Sequence, residues 1–152
     1  MTEPADLNTR VQYLEDIGAL QRLLIEYSFA ADIGDAEALS TMFISDAVYE
    51  LDELRLEGRQ QIVATVVGQR DDPAFVATAH TVGPVVIDVD GDRAVGRGYS
   101  RLYVAEGDGV TLWRLSFNRW EFVREQGRWR ISRRVTRAVG HPEAAALLRN
   151  PS

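Results

Sequence analysis

The sequence predicts an α+β fold: three N-terminal helices cover one face of a cone-shaped, strongly curved and mostly antiparallel sheet. Three observations carry this. Apolar residues recur at three- and four-residue spacing near the start of the chain. From residue 76 onward, four long segments read as strands, in which successive side chains point to opposite faces. Those segments are joined by Asp90-Gly91, Gly107-Asp108-Gly109 and Gln126-Gly127, which carry the chemistry of tight hairpin turns. Helices first and a strand meander afterwards put the helices on one face of the sheet, and a curved sheet closed in that way has an interior. The chain of 152 residues has the length of one domain, with its core over about residues 11–139.

The first helix is expected over Val11–Ala31, where Leu14, Ile17, Leu20, Leu24, Tyr27 and Ala31 share a face. Thr9-x-x-Gln12 has the form of a capping box. Ile25, Phe29 and Asp32 fall on a second face, so this helix should be sandwiched and not lie at the surface. Gly34 suits a left-handed stop, and Asp35 suits the cap of a second helix, Ala36–Phe43. A strand follows at Ala47–Leu51. Gly58–Gly68 reads as the third helix, although its β-branched residues Ile62, Val63, Val66 and Val67 also fit a strand. Asp71-Asp72-Pro73 breaks the chain before strands at Val76–Val89, Arg93–Ala105, Val110–Glu125 and Arg128–Val139. The stretch from His141 to Leu148 reads as a short helix that either lids a pocket or packs on a neighbour.

Composition excludes several chemistries. Without cysteine there are no disulfides, thiolate nucleophiles or iron–sulfur clusters. All 17 basic residues are arginine, so lysine Schiff bases are excluded. The two histidines, His80 and His141, cannot build a multi-histidine metal cage. No glycine-rich phosphate loop with lysine, dinucleotide fingerprint, nucleophile elbow or zinc-peptidase helix is present. Asp88, Asp90 and Asp92 around Gly91 resemble a calcium loop only superficially, because the later ligands are wrongly spaced. The remaining reading is a small acid–base enzyme using carboxylates, tyrosine, arginine and one histidine, or a binding or structural module.

The net charge of −6 is unevenly spread. Residues 1–72 hold 15 acids against 5 arginines, and residues 73–152 hold 8 acids against 12 arginines. The arginines are interspersed with acids, which argues against a nucleic-acid footprint and for two layers that complement each other. No apolar run approaches a membrane span, and no secretory leader is recognised at the N-terminus, so a cytoplasmic location without membrane contact is expected.

Four places carry candidate chemistry. Asp32 ends the first helix beside Ile25 and Phe29, where partial desolvation makes a carboxylate a better base. The helix dipole disfavours an acid there, so a partner should compensate it. His80 lies in a strand with Thr78, Val82, Pro84 and Val86 on the same side. It is either a hydrogen-bonded core histidine or half of an Asp–His dyad in which the carboxylate sets the imidazole tautomer. On the third long strand Leu112, Arg114, Ser116, Asn118, Trp120 and Phe122 share a side, while Trp113, Leu115 and Phe117 read as packing. Next to it Tyr99, Arg101 and Tyr103 alternate with Gly98 and Ser100. These faces suit either a pocket wall or a dimer interface.

Three segments resemble the SnoaL-like family of the nuclear transport factor two-like superfamily. They are Leu14–Phe43 followed by Ser45-Asp46-Ala47-Val48, Ala79-His80 entering a long strand, and the closing Gly127-Arg128-Trp129-Arg130-Ile131-Ser132-Arg133-Arg134. The resemblance covers about Leu14 to Val139 and implies a cystatin-like cone. Within the superfamily, the bile-acid dehydratases, scytalone dehydratase and lindane dehydrochlorinase resemble one another in an Asp–His pair, and Asp32 and His80 fall on those positions. The same resemblance places Tyr27, Tyr49 and Arg134 among pocket residues, and Tyr103 at a pocket position of variable type. The second pocket histidine of scytalone dehydratase has no counterpart here.

The implied chemistry is proton abstraction from carbon without a cofactor. Asp32 would orient His80 as general base, while Tyr27, Tyr49 or Arg134 would donate to a developing enolate or leaving hydroxyl. Tyr103, Arg114 and Asn118 complete the candidate substrate-binding set. A dehydratase acting on a small hydrophobic steroid-, terpenoid- or polyketide-like molecule is the leading expectation. An isomerase or polyketide cyclase on the same dyad, or a non-catalytic module like an oxygenase small subunit, are the alternatives. A homo-oligomer is expected, because the outer face of such a sheet needs cover, and the resemblance implies a homodimer or homotrimer.

Overall fold

A computed structural model describes residues 3–150. α1 spans Leu7–Ile33 and α2 spans Ala36–Met42. β1 (Phe43–Leu51) and β2 (Leu54–Glu57) form a hairpin, and α3 (Arg59–Gly68) follows. Two 3-10 turns, Gln69–Asp71 and Pro73–Phe75, lead into β3 (Thr78–Asp90). β4 (Arg93–Glu106), β5 (Gly109–Glu125) and β6 (Arg128–Ala138) come next, and α4 (Ala144–Leu147) packs against β5 and β6. The six strands form one curved sheet in the order β2-β1-β6-β5-β4-β3. All pairs are antiparallel except β1 with β6, which is parallel because the chain enters the sheet beside its last strand.

α1 begins four residues before the predicted start. Asp6, not Thr9, is its cap: the Asp6 carboxylate accepts from the Thr9 backbone N–H at 2.8 Å. A carboxylate is favoured over a hydroxyl at the positive end of the helix dipole. Gln12, the expected second half of a capping box, instead donates to Asp16 at 3.2 Å. At the other end Gly34 takes φ 73 and stops the helix as expected, and Asp35 caps α2 through the Ala38 N–H at 3.0 Å.

The core lies between α1–α3 and the inner face of the sheet. Leu20, Leu24 and Tyr27 of α1 meet Leu39, Phe43, Ile62, Trp120, Phe122 and Ile131 there. The second apolar face of α1 is not covered in this chain. Ile25 is 47 % exposed and Phe29 62 %, so the expected sandwiching does not occur within one copy. The charge asymmetry is used as expected: Asp16, Glu50 and Asp52 of the acidic half pair with Arg124, Arg133 and Arg114 of the basic half at 2.6, 2.7 and 2.7 Å.

Register shifts decide which residues face inward. In β3 the register slips between Val82 and Val85. Thr78, His80 and Val82 face the helices before the slip, and Val85, Ile87 and Val89 after it. Pro84 and Val86 therefore lie on the outer face, contrary to uniform alternation from His80. A second slip, opposite Leu102 and Tyr103, displaces Trp113 from the packing side. A third, around Ser132, puts Ile131 and Arg134 on one face although they are an odd number of residues apart.

Gly98 sits where β4 meets the slip in β3, and a methyl group there would run into the Pro84 carbonyl oxygen and the Val85 Cα. Backbone atoms cannot swing aside as a side chain can. Gly98→Ala should cost about 1–3 kcal/mol, as overpacking does, and the loss should appear as a lower Tm in thermal denaturation.

The C-terminal segment does not lid the cavity. Arg97 Nη1 donates to the Leu148 carbonyl at 2.6 Å and Arg137 pairs with Glu143 at 2.9 Å, and both arginines point away from α1–α3. The segment covers part of the sheet's outer face in its own chain.

Candidate active site

Asp32 is the penultimate residue of α1, and His80 lies two residues into β3. Both are part-buried. His80 Nδ1 is 2.6 Å from Asp32 Oδ1. The same carboxylate accepts the His80 backbone N–H at 2.9 Å and the Thr78 hydroxyl at 3.0 Å. These donors are the compensation that an acid at a helix C-terminus requires. Arg70 adds to it from the turn after α3, donating to the Asp32 carbonyl. The expected wrapping of Asp32 by Ile25 and Phe29 is absent, since both point to solvent. Asp32 is therefore held by hydrogen bonds, not by an apolar shell.

A carboxylate acceptor on Nδ1 places the proton there, which leaves Nε2 as an unprotonated lone pair. Nε2 has no protein partner among the described residues, and His80 lines a cavity of about 560 Å³. Asp32 does not line it and stands behind the ring.

The inner wall is built around Arg134. Its guanidinium lies 5.3 Å from the Tyr27 ring centre, 5.0 Å from Tyr49 and 5.5 Å from Trp120. Nε and Nη2 both donate to Asn118 Oδ1, at 3.2 and 2.9 Å. Asn118 in turn donates to Ser100 Oγ at 2.8 Å. No carboxylate pairs with Arg134 among the described residues, so its charge is held by aromatic faces and one amide. Burial pushes the Tyr27 hydroxyl well above its ordinary range, and Tyr27 stays a neutral donor at physiological pH.

Tyr27, Tyr49, Arg114 and Arg134 all line the cavity with His80. Two expected contacts do not. Asn118 is fully buried behind Arg134 and positions it. Tyr103 pairs with Ala79 on the outer face, while its neighbour Leu102, opposite His80, lines the cavity instead. Adjacent strand residues face opposite ways, so a one-residue error in placing a wall position exchanges the two. Tyr99 is also on the outer face, its ring 5.3 Å from Phe117.

The lining outside the predicted set is mixed: the apolar part is Leu51, Leu54, Leu56, Val66, Leu102 and Trp113, and polar side chains such as Gln69, Ser100, Arg101 and Ser116 lie beside it. Leu54 and Leu56 belong to β2, a four-residue strand too short to show periodicity. Their alternation with Arg55 and Glu57 is the one local signal. Trp113, placed by simple alternation on the packing side, reaches the cavity because of the register slip beside it. Among the described residues, no cluster of three or more His, Asp or Glu side chains is placed to hold a metal ion. Among the described residues, no helix is long and apolar enough to cross a membrane.

The SnoaL-like domain family matches residues 12–135. The chain belongs to the SnoaL-like family. Among solved structures, this SnoaL-like protein is similar to an NTF2-like protein with a cystatin-like fold from Novosphingobium aromaticivorans. That likeness is 33 % identity over 99 % of both chains, with a TM-score of 0.89. A Mycobacterium tuberculosis protein of unknown function is 24 % identical over 90 % of this chain and 80 % of its own, with a TM-score of 0.78. A candidate scytalone dehydratase from Novosphingobium aromaticivorans shares the fold at 21 % identity, covering 83 % of this chain and 85 % of that one, with a TM-score of 0.68. No curated protein matches the chain significantly.

At the cavity rim of the SnoaL-like protein, Asp52 takes φ 51 and binds Arg114 through both carboxylate oxygens, at 2.7 and 3.1 Å. The Arg114 hydrogen bonds hold the Asp52 carboxyl below its ordinary 3.8, with the Ala138 N–H helping against the opposing effect of burial. A carboxyl depressed by folding stabilises the native state above its unfolded pKa and loses that contribution as pH falls through the folded value. Thermal midpoints measured below about pH 4 should therefore fall less steeply for Asp52→Asn than for the wild type.

Proposed function

We propose that this protein is a cofactor-independent lyase of the dehydratase type. In this reading it acts on a small, largely apolar carbonyl compound with a hydroxyl group β to the carbonyl. The observation that carries the reading is the 2.6 Å contact between Asp32 and the inner nitrogen of a histidine whose outer nitrogen is free toward the cavity. The superfamily includes dehydratases, isomerases and polyketide cyclases, which supports a reading within those classes.

The steps balance without a redox partner. His80 Nε2 removes a proton from the carbon beside the carbonyl, and the C–H electron pair passes into an enolate. Asp32 stabilises the imidazolium that forms, as its Oδ1 already accepts from Nδ1. Tyr27, Tyr49 and Arg134 are the donors available to the enolate oxygen. The enolate then re-forms its carbonyl, a new C=C bond closes, and the β-hydroxyl leaves as water with the proton carried by the imidazolium. The apolar wall of Leu51, Leu54, Leu56, Val66 and Leu102 sets the preference for a hydrophobic skeleton.

The test is incubation with a panel of β-hydroxy ketones of steroid, terpenoid and aromatic polyketide type in deuterium oxide, read by mass spectrometry. Loss of water from at least one member is the expected result. Deuterium uptake without water loss would move the assignment to an isomerase or cyclase. Neither change in any member would overturn it.

A further inference from the structure

The face of α1 turned away from the core carries a second apolar stripe. Leu7, Val11, Leu14, Gly18, Ile25 and Phe29 follow one another at steps of four and three or their sum, the repeat of a helix seam that meets another helix. The stripe lies opposite Leu20, Leu24, Tyr27 and Ala31, which are buried. Its side chains are exposed: Leu7 71 %, Val11 44 %, Leu14 67 %, Ile25 47 % and Phe29 62 %. Gly18 is in the middle of it, and a Cβ there would meet nothing within 4 Å. A glycine in a helix interior costs roughly 1 kcal/mol relative to alanine, and nothing inside the chain requires it. A close approach by another backbone would.

We infer that this stripe is the interface of a homodimer in which α1 packs antiparallel against α1 of a second copy, with the twofold axis at Gly18. The pattern is self-complementary about that point. Leu7 falls opposite the second copy's Phe29, and Val11 opposite the second copy's Ile25. Leu14 falls opposite the second copy's Arg22, whose aliphatic stem can cover it. One flank of the stripe carries Glu15 and Arg22, both exposed. In an antiparallel pair the same flanks meet, so Glu15 of each copy comes within reach of Arg22 of the other, twice by symmetry. A parallel pair would set this flank against the opposite flank of the second copy, and Glu15 and Arg22 would not meet. The helix is about 40 Å long, enough to carry the contact without any other surface of the fold. This inference does not depend on the proposed chemistry, because none of these residues lines the cavity.

The test uses the full chain in sedimentation velocity at micromolar concentration. The wild type should sediment as a dimer, and Ile25→Asp should weaken association more than about tenfold. Arg22→Glu should weaken it several-fold, and adding Glu15→Arg should restore it. The absence of cysteine allows a direct check of the axis. Gly18→Cys, under mild oxidation, should form a disulfide-linked dimer, whereas Glu37→Cys on the exposed side of α2 should not. A monomeric wild type, a dimer indifferent to Ile25→Asp, or a Gly18→Cys variant that cross-links no faster than Glu37→Cys would each overturn the arrangement. The last two results would place any dimer on the outer sheet face instead.

Discussion

Replacing His80 with Ala is expected to lower turnover by about 10²–10⁴-fold, the usual contribution of a positioned general base, with little change in Tm. The two readouts separate because of how the residue is held. The ring is part-buried and its side chain has one protein partner, Asp32. The strand itself is held by its own backbone bonds, which Ala preserves. Asp32→Asn should be comparably damaging to turnover for a different reason. An amide in place of the carboxylate donates to Nδ1, which moves the imidazole proton to Nε2 and removes the lone pair from the cavity. Asp32→Asn should also lower Tm, since the carboxylate accepts from the His80 N–H and the Thr78 hydroxyl as well. Steady-state kinetics on the responsive β-hydroxy ketone, together with calorimetry, check both. Undiminished turnover in His80→Ala would rule out the mechanism.

The second large effect falls on a residue that does not reach the cavity. Asn118→Leu removes the amide oxygen that accepts from both Nε and Nη2 of Arg134. A buried cation then loses both of its hydrogen bonds to the amide. Losing a hydrogen bond to a charged group costs about 1.5–3 kcal/mol, which for a chain of this size is a fall in Tm of roughly 3–12 °C. Arg134→Met alone leaves the Asn118 amide unpaired on one side. The double replacement removes both the cation and its acceptor, so its cost should be clearly less than the sum of the two singles. Denaturant titration of the four proteins measures the coupling. Additive costs would show that the two side chains do not act as a unit.

The elements were largely readable because their signals are local. The α1 periodicity, Gly34 as a left-handed stop, Asp35 as a cap and the three hairpin turns depend on residues a few positions apart. The pair of Asp32 and His80 was readable at a distance of 48 residues only through likeness to a family, since nothing in the local pattern of either residue names the other. The strand positions that the structure corrects share one feature. Trp113, Pro84 and Val86 follow strict alternation, Tyr103 follows the likeness to relatives, and each lies at or beside a register slip. A slip arises from strand pairing across the sheet, so the slipped strand alone does not announce it. The cap at Asp6 was missed for the opposite reason, as a purely local competition in which a carboxylate outweighs a hydroxyl.

By itself, the amino-acid order determined the α+β layering, the acidic and basic layers that meet in ion pairs, and the chemistries that a chain without cysteine or lysine cannot perform. Those follow from composition and short-range periodicity, which act before any long-range contact forms. Only the tertiary structure decided that Asn118 serves Arg134, that Leu102 replaces Tyr103 on the cavity wall, and that one apolar face of α1 is left open. Each of these depends on which side chain a neighbouring strand or helix brings within a few ångströms, and that is set by the register and packing of the whole sheet.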